Sequence, residues 1–298
     1  MKRIMFLFFT VALLIPTAIF AKGPFTIGAS FAYLWHPVHA AMKSSAEKTA
    51  ANLGVELLTP GADSIAMEEF NLQDFINRKV NGILATPITI DSLVPAIEKA
   101  VAAGIPVVTV DRKANTDKVL AHVGTDDVEG GRMAARYIIE KLGNKGTVIE
   151  LEGSQGASPT IDRKKGFEEE ISKSKVKILA SEGANFYRPT ARNVMQKLIK
   201  EHPKFDAIFA ANDDMILGAL DAMRAAGIDP SKKVTVGWDA SIEGLASIKQ
   251  GELSATFDPF PGEQASRALT ILVDYIKTKK KPEKAVIYIT PKLVTSAQ

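Results

Sequence analysis

A regular alternation of short, continuous Val/Ile/Leu runs with stretches of helical period fixes most of what this chain can become. From Phe25 the run FTIGASF leads to a helical pattern from about Val38 to Leu53, then VELL, a helix from Ser64 to Arg78, GILAT, a helix from Asp91 to Ala103, PVVTV and VLAHV. Gly104-Ile105-Pro106 reads as a helix stop followed by strand entry. A second block repeats the alternation: helix 126–142, TVIEL, helix 163–173, VKILA, helix 190–201, AIFAA, helix 213–226, VTVG and helix 241–250. Strands that are apolar throughout need cover on both faces, which is the condition of a parallel sheet between helices. The pattern therefore predicts an α/β protein with two doubly wound parallel-sheet lobes, and 298 residues suit two such units. SATF, a helix over 262–279 and AVIYI are too few for a third lobe and are expected to complete the first two. With no low-complexity tether, the lobes should be joined by short crossings able to hinge.

Outside this body stands an amino-terminal leader. Lys2 and Arg3 precede an apolar run from Ile4 to Phe20 that closes on Ala21, the pattern of a signal peptide over residues 1–21. Seventeen apolar residues interrupted by Pro16 fall short of a membrane span. The chain has no cysteine, so disulfides, thiolate chemistry and a lipid anchor are excluded, and the expected address is the periplasm. A net charge of +3 is too small to make nucleic acid a partner.

In doubly wound sheets ligands bind beyond the carboxyl ends of the strands. The first strand runs into Tyr33-Leu34-Trp35-His36, PVVTV into Asp111-Arg112, VKILA towards Asn185-Phe186, AIFAA into Asn212-Asp213-Asp214, VTVG into Trp238-Asp239 and SATF into Asp258. The loop after TVIEL leads through Gly153 and Gly156 to Arg163. Asp213 and Asp214 serve equally well as caps of the following helix. Asp111 and Asp239 are less easily explained that way and require partners such as Arg112 or Arg163. Vicinal hydroxyls both donate and accept, so carboxylates, an Asn amide and guanidinium groups around aromatic faces such as Trp35 and Phe186 make the chemistry of a polyol pocket.

Six stretches in order, VVTVDR (Val107 to Arg112), Gly130-Gly131 after Asp126-Asp127, VIELEG (Val148 to Gly153), NVMQ (Asn193 to Gln196), FAANDDMILG (Phe209 to Gly218) and VGWD (Val236 to Asp239), resemble the periplasmic sugar-binding proteins of the ribose-binding type. The resemblance spans nearly the whole mature chain. It implies two lobes joined by three hinge crossings, a monosaccharide or polyol enclosed between them, and delivery to the permease of an ABC importer in the inner membrane. Position by position it implies ligand contacts by Asp111, Arg112, Arg163, Phe186, Asn212 and Asp239. Where the family has an Asn-Pro-aromatic-aromatic approach to the first helix, this chain has His36-Pro37-Val38-His39, and where ribose binders place a glutamine it has Pro259 beside Asp258. His36, His39 and Asp258 are candidate ligand contacts beside Trp35 as an aromatic wall, and these departures argue for a small sugar, polyol or sugar derivative other than ribose itself.

The lobes are expected at 24–125 plus 260–284 and at 126–259 plus 285–298, with crossings near 125, 259 and 285. His36 and His39 have no further His or Cys nearby to complete a metal site. The first strand ends in Gly28-Ala29-Ser30-Phe31 without a dinucleotide-binding loop, and no nucleophile elbow or phosphate loop occurs, so neither a cofactor nor an enzymatic reaction is expected. The related repressors carry a DNA-binding unit where this chain carries its leader. A monomeric receptor is the expectation, and presentation of bound sugar to a chemoreceptor or sensor kinase uses the same pocket as transport.

Overall fold

The computed structural model describes residues 25–296, so the leader at 1–21 lies outside the described residues. In order, the chain forms β1 (Thr26–Ala32), α1 (Pro37–Leu53), β2 (Glu56–Leu58), β3 (Gly61–Ala62), α2 (Ile65–Asn77), β4 (Gly82–Thr86), α3 (Val94–Ala102), β5 (Val107–Val110) and β6 (Ala121–Gly124). It continues with α4 (Asp127–Lys141), β7 (Lys145–Glu152), α5 (Ser158–Ile171), β8 (Lys175–Gly183), α6 (Arg188–Glu201), β9 (Ala207–Ala210), α7 (Asp213–Ala225), β10 (Val234–Val236) and α8 (Ile242–Lys249). The last elements are β11 (Ala255–Asp258), α9 (Pro261–Thr278), β12 (Val286–Tyr288) and β13 (Lys292–Thr295).

Two sheets result. The first has the order β12-β6-β5-β4-β1-β2, with β3 also paired to β1, and the second the order β13-β11-β10-β9-β7-β8. Every pairing is parallel except β11 with β13. Successive strand residues face opposite sides, so Leu84 and Val108 join a core with Met42 of α1 and Leu272 of α9, while Ile83 and Val107 join Leu72 and Phe75 of α2 and Ile97 of α3. In the second sheet Ile149 and Ile208 pack with Met195 of α6 and Leu220 of α7, and Val148 and Phe209 with Ile138 of α4 and Phe167 of α5. Each sheet is thus a largely parallel layer whose central strands are buried on both faces.

The chain passes between the sheets three times: from β6 to α4, from β11 to α9, and between β12 and β13. The third passage corrects the expected boundary. Residues Val286–Tyr288 pair in parallel with His122–Gly124 of the first sheet, so the chain leaves that lobe only at 289–291, not near 285. AVIYI carried the strand signal but not its partner; β13, antiparallel and on the sheet edge, lacked the apolar run that marked the others. A second correction concerns α5, which begins at Ser158 and not near 163. Pro159 occupies its first turn, where a missing N–H costs nothing, and Arg163 therefore projects from a helix.

Candidate ligand site between the lobes

The strand ends point into one cleft because their backbones turn sharply there. Asp111 (φ 62°), Phe186 (φ 54°) and Asp239 (φ 116°) all lie in the left-handed region that L-residues rarely adopt. Such conformations cost about 1–3 kcal/mol each and persist where the surroundings dictate them. Here they swing two carboxylates and a phenyl ring off the ends of β5, β8 and β10 towards each other. His36, Val38, His39, Asp111 and Arg112 of the first lobe and Pro159, Arg163, Phe186, Asn212 and Asp239 of the second surround a single hollow. Its volume is about 30 Å³.

The second lobe holds its half of the site rigidly. Arg163 donates from Nε to Asp127 Oδ1 at 2.8 Å and from Nη1 to the Ala211 carbonyl at 2.7 Å. Its guanidinium lies 4.3 Å from the ring centroid of Trp238, which is stacked on Phe257. Helix α5 reaches this position only because Gly131 lets α4 approach: a Cβ there would stand 2.0 Å from the Arg163 carbonyl oxygen. Gly153 does the same for Phe186, whose ring fills the space a Cβ would need. Asn212 caps α7, its Oδ1 accepting from Met215 N at 2.9 Å. Asp213 faces away from the hollow, accepting from Thr256 Oγ1 and Ser241 N and so bracing the loop that carries Asp239.

In the first lobe, Asp111 Oδ2 lies 3.4 Å from His39 Nε2 and 3.9 Å from Arg112 Nε. Burial pushes the Asp111 carboxyl up, but His39, Arg112 and Arg163 outweigh it and hold the group ionised with a pKa of about 2. Arg112 donates from Nη1 to the Ile88 carbonyl at 3.0 Å, and the Ile88 N–H in turn donates to Glu68. The guanidinium lies 5.6 Å from the Phe186 ring centroid and 5.7 Å from that of Tyr33. Asp239 is the opposite case to Asp111: burial, then the nearby Asp213, push its carboxyl well above the usual range.

Contacts across the cleft close it. His36 Nε2 lies 3.0 Å from Asn212 Nδ2 and 4.0 Å from Asp239 Oδ2. Away from the hollow, Lys113 N donates to Ser158 Oγ at 2.8 Å, Ile90 N to the Gly156 carbonyl at 2.8 Å, and Lys113 Nζ pairs with Asp162.

Eight of the ten residues picked from the sequence line this hollow; Trp35 and Asp258 do not. Trp35, 53% exposed, stands at the mouth, its ring centroid 5.8 Å from that of Tyr187 on the other lobe. The loop that follows β1 carries it past the site and turns in again only at His36. Asp258 closes a local turn, accepting from Phe260 N at 2.8 Å in the crossing from β11 to α9. Asp127 and Glu68 were not singled out from the sequence. Both sit in the first turn of a helix, where a carboxylate reads as a partner of the free N–H groups, and only the fold shows each reaching an arginine or its support.

The periplasmic binding protein domain family matches residues 27–281. The ribose import binding protein of Bacillus subtilis is 37% identical over 266 residues, which cover 89% of this chain and 86% of that protein. A solved myo-inositol binding protein of Caulobacter, bound to myo-inositol, superposes with a TM-score of 0.87 at 32% identity, covering 91% of this chain and 93% of that one. A periplasmic solute binding protein of an ABC transporter from Actinobacillus succinogenes, with bound D-allose, gives a TM-score of 0.85 at 30% identity, covering 92% and 98%.

Proposed function

This chain belongs to the periplasmic binding protein domain family, and on that premise we propose that it captures one monosaccharide, polyol or small sugar derivative between its lobes and hands it to the permease of an ABC importer. The observation that carries this reading is the convergence of Asp111, Arg112, Arg163, Asn212 and Asp239 around one hollow whose single large apolar wall is Phe186. Ionised Asp111 accepts hydroxyl hydrogens, the two guanidinium groups donate to hydroxyl oxygens, and Asp239 regains its charge when hydroxyls donate to it. The hollow, small and closed off by residues of both lobes, suits a small ligand and not an oligosaccharide. Two lobes on short crossings close over the ligand, completing its hydrogen bonds and excluding water, and the closed form is what the permease meets. The leader and the family together support action in the periplasm. The family and the binding-protein relatives support capture and release of the ligand unchanged.

A thermal-shift panel of pentoses, hexoses, tetritols, inositols and amino sugars tests the reading. Ligand at a thousand times its Kd adds about 4 kcal/mol of stability. One or more members should therefore raise the melting temperature by roughly 10 °C, and a flat panel would overturn the assignment.

A further inference from the structure

Closure leaves the imidazole of His36 a single protonation state. Asn212 is not free to turn its amide: Oδ1 accepts from Met215 N at the start of α7, and Nδ2 lies 3.4 Å from the Phe186 carbonyl. The same Nδ2, which can only donate, lies 3.0 Å from His36 Nε2. Nε2 must then accept, and the ring proton resides on Nδ1. A doubly protonated ring would set N–H against N–H across that contact. His36 Nδ1 is also buried with no hydrogen-bond partner, so the ring's charge would have no acceptor on either side.

The groups around the ring agree. Burial, then His39 on α1 and Arg112 after β5, oppose a charge on His36, as does Arg163 on α5, whereas Asp111 favours it. Asp239, in the loop after β10, stands 4.0 Å away, beyond hydrogen-bond reach, and its own carboxyl is held towards the neutral form. Together these place the closed-state pKa of His36 at about 3. In an open cleft neither Asn212 nor Asp239 covers the ring, and an imidazole facing water has an ordinary pKa of about 6.5.

We propose that His36 couples closing of the two lobes to its own deprotonation, so that the neutral Nδ1–H form is the one the second lobe accepts and ligand capture weakens as the medium acidifies. His36 is thus a positioning residue of closure. Asp239 links closure to pH in the opposite sense, since burial favours its protonated form, and a control must therefore keep it.

The test needs no ligand. A Cβ at Gly156 would lie 3.4 Å from Thr89 Cβ on the other lobe, close to the roughly 3.5–4.5 Å of a disulfide, and the chain has no cysteine of its own. In oxidised Thr89→Cys/Gly156→Cys protein, nitrogen-15 NMR of the imidazoles should show His36 neutral at pH 5 with its proton on Nδ1, and uptake of the second proton should move to higher pH on reduction. A locked protein whose His36 gains that proton near pH 6.5, or carries its single proton on Nε2, overturns the proposal. Should the bridge not form, affinities of D-ribose, D-allose and myo-inositol are compared in wild type and His36→Asn, which both retain Asp239. For any of these that binds, the wild-type Kd should rise relative to the variant's by tenfold per pH unit below 6.5, about 30-fold at pH 5. A ratio constant from pH 7.5 to 5 overturns the coupling while leaving the receptor function intact.

Discussion

The guanidinium of Arg163 lies 4.3 Å from the centroid of the Trp238 ring, and both belong to the second lobe. The indole is fully buried and stacked on Phe257, so the cation rests on a fixed surface and is tied at its rim to Asp127 and the Ala211 carbonyl. None of these contacts depends on the first lobe. The second lobe therefore presents a preorganised donor before the cleft closes, which lowers the ordering cost of capture. The first lobe is built likewise, with Glu68 fixing Ile88 and Ile88 fixing Arg112.

Asp127→Ala should be felt twice. Breaking a buried ion pair by removing one member costs about 3–5 kcal/mol, because the remaining charge is left buried without its counterpart. Calorimetric melting should drop by roughly 10 °C. Any surviving ligand affinity should fall too, since Arg163 would turn to other acceptors. A variant that melts and binds as the wild type does would show that Ala211 and Trp238 alone place the arginine.

Asp239→Gly should separate stability from function. The side chain makes no hydrogen bond in the closed cleft, its carboxyl is buried, and its backbone sits at φ 116°, a region open to glycine and costly to others. Removing it should stabilise the fold by about 1–3 kcal/mol. Ligand affinity should fall at least a hundredfold, as two hydroxyl bonds to a charged acceptor are lost at about 1.5–3 kcal/mol each. The pair of measurements is a melting curve and a titration calorimetry run. A destabilised variant, or one that still binds, would contradict the view that strain is held at Asp239 for the ligand.

The lobes and most of the hollow were legible because two strong signals coincide. Runs such as PVVTV and AIFAA read as covered parallel strands, and the residues that end them lie at the cleft side of each sheet. What sequence could not carry was backbone direction. Nothing in the letters Asp111, Phe186 or Asp239 announces a left-handed turn, and it is that turn which decides whether a strand-end side chain enters the hollow or, like Asp258, folds back on its own chain. Asp127 and Glu68 were missed for a related reason, since their partners come from distant segments. The third crossing was misplaced because a three-residue edge strand such as Val286–Tyr288 carries no mark of which sheet it joins.

Glu68→Gln should change how stability depends on pH. Burial raises the Glu68 carboxyl from 4.5 to about 7, so the folded protein holds a proton there that the unfolded chain releases above pH 4.5. Stability from this group is therefore full below pH 4.5 and is lost as pH rises to 7. Glutamine keeps an oxygen for Ile88 N and has no proton to lose. The variant's advantage over wild type should be near zero at pH 4.5 and grow to about 3 kcal/mol by pH 8. Urea unfolding of both proteins across that range decides it; parallel profiles would mean Glu68 is ionised throughout.

The two tryptophans should report different things. Trp238 is sealed beneath Arg163, and Trp35 stands at the mouth, where its edge contact with Tyr187 exists only when the lobes meet. Saturating ligand should shift the intrinsic fluorescence, and Trp35→Phe should remove most of the change. Because Trp35 lies outside the hollow, that variant should keep its affinity within about tenfold, the loss expected of one aromatic pair at about 0.5–1.5 kcal/mol. Trp238→Phe should retain the signal yet melt lower, as it opens a cavity under the guanidinium and gives up part of the cation–π contact. Full signal in Trp35→Phe would mean that the change arises at Trp238, and hence that ligand disturbs the floor of the site instead of drawing its rims together.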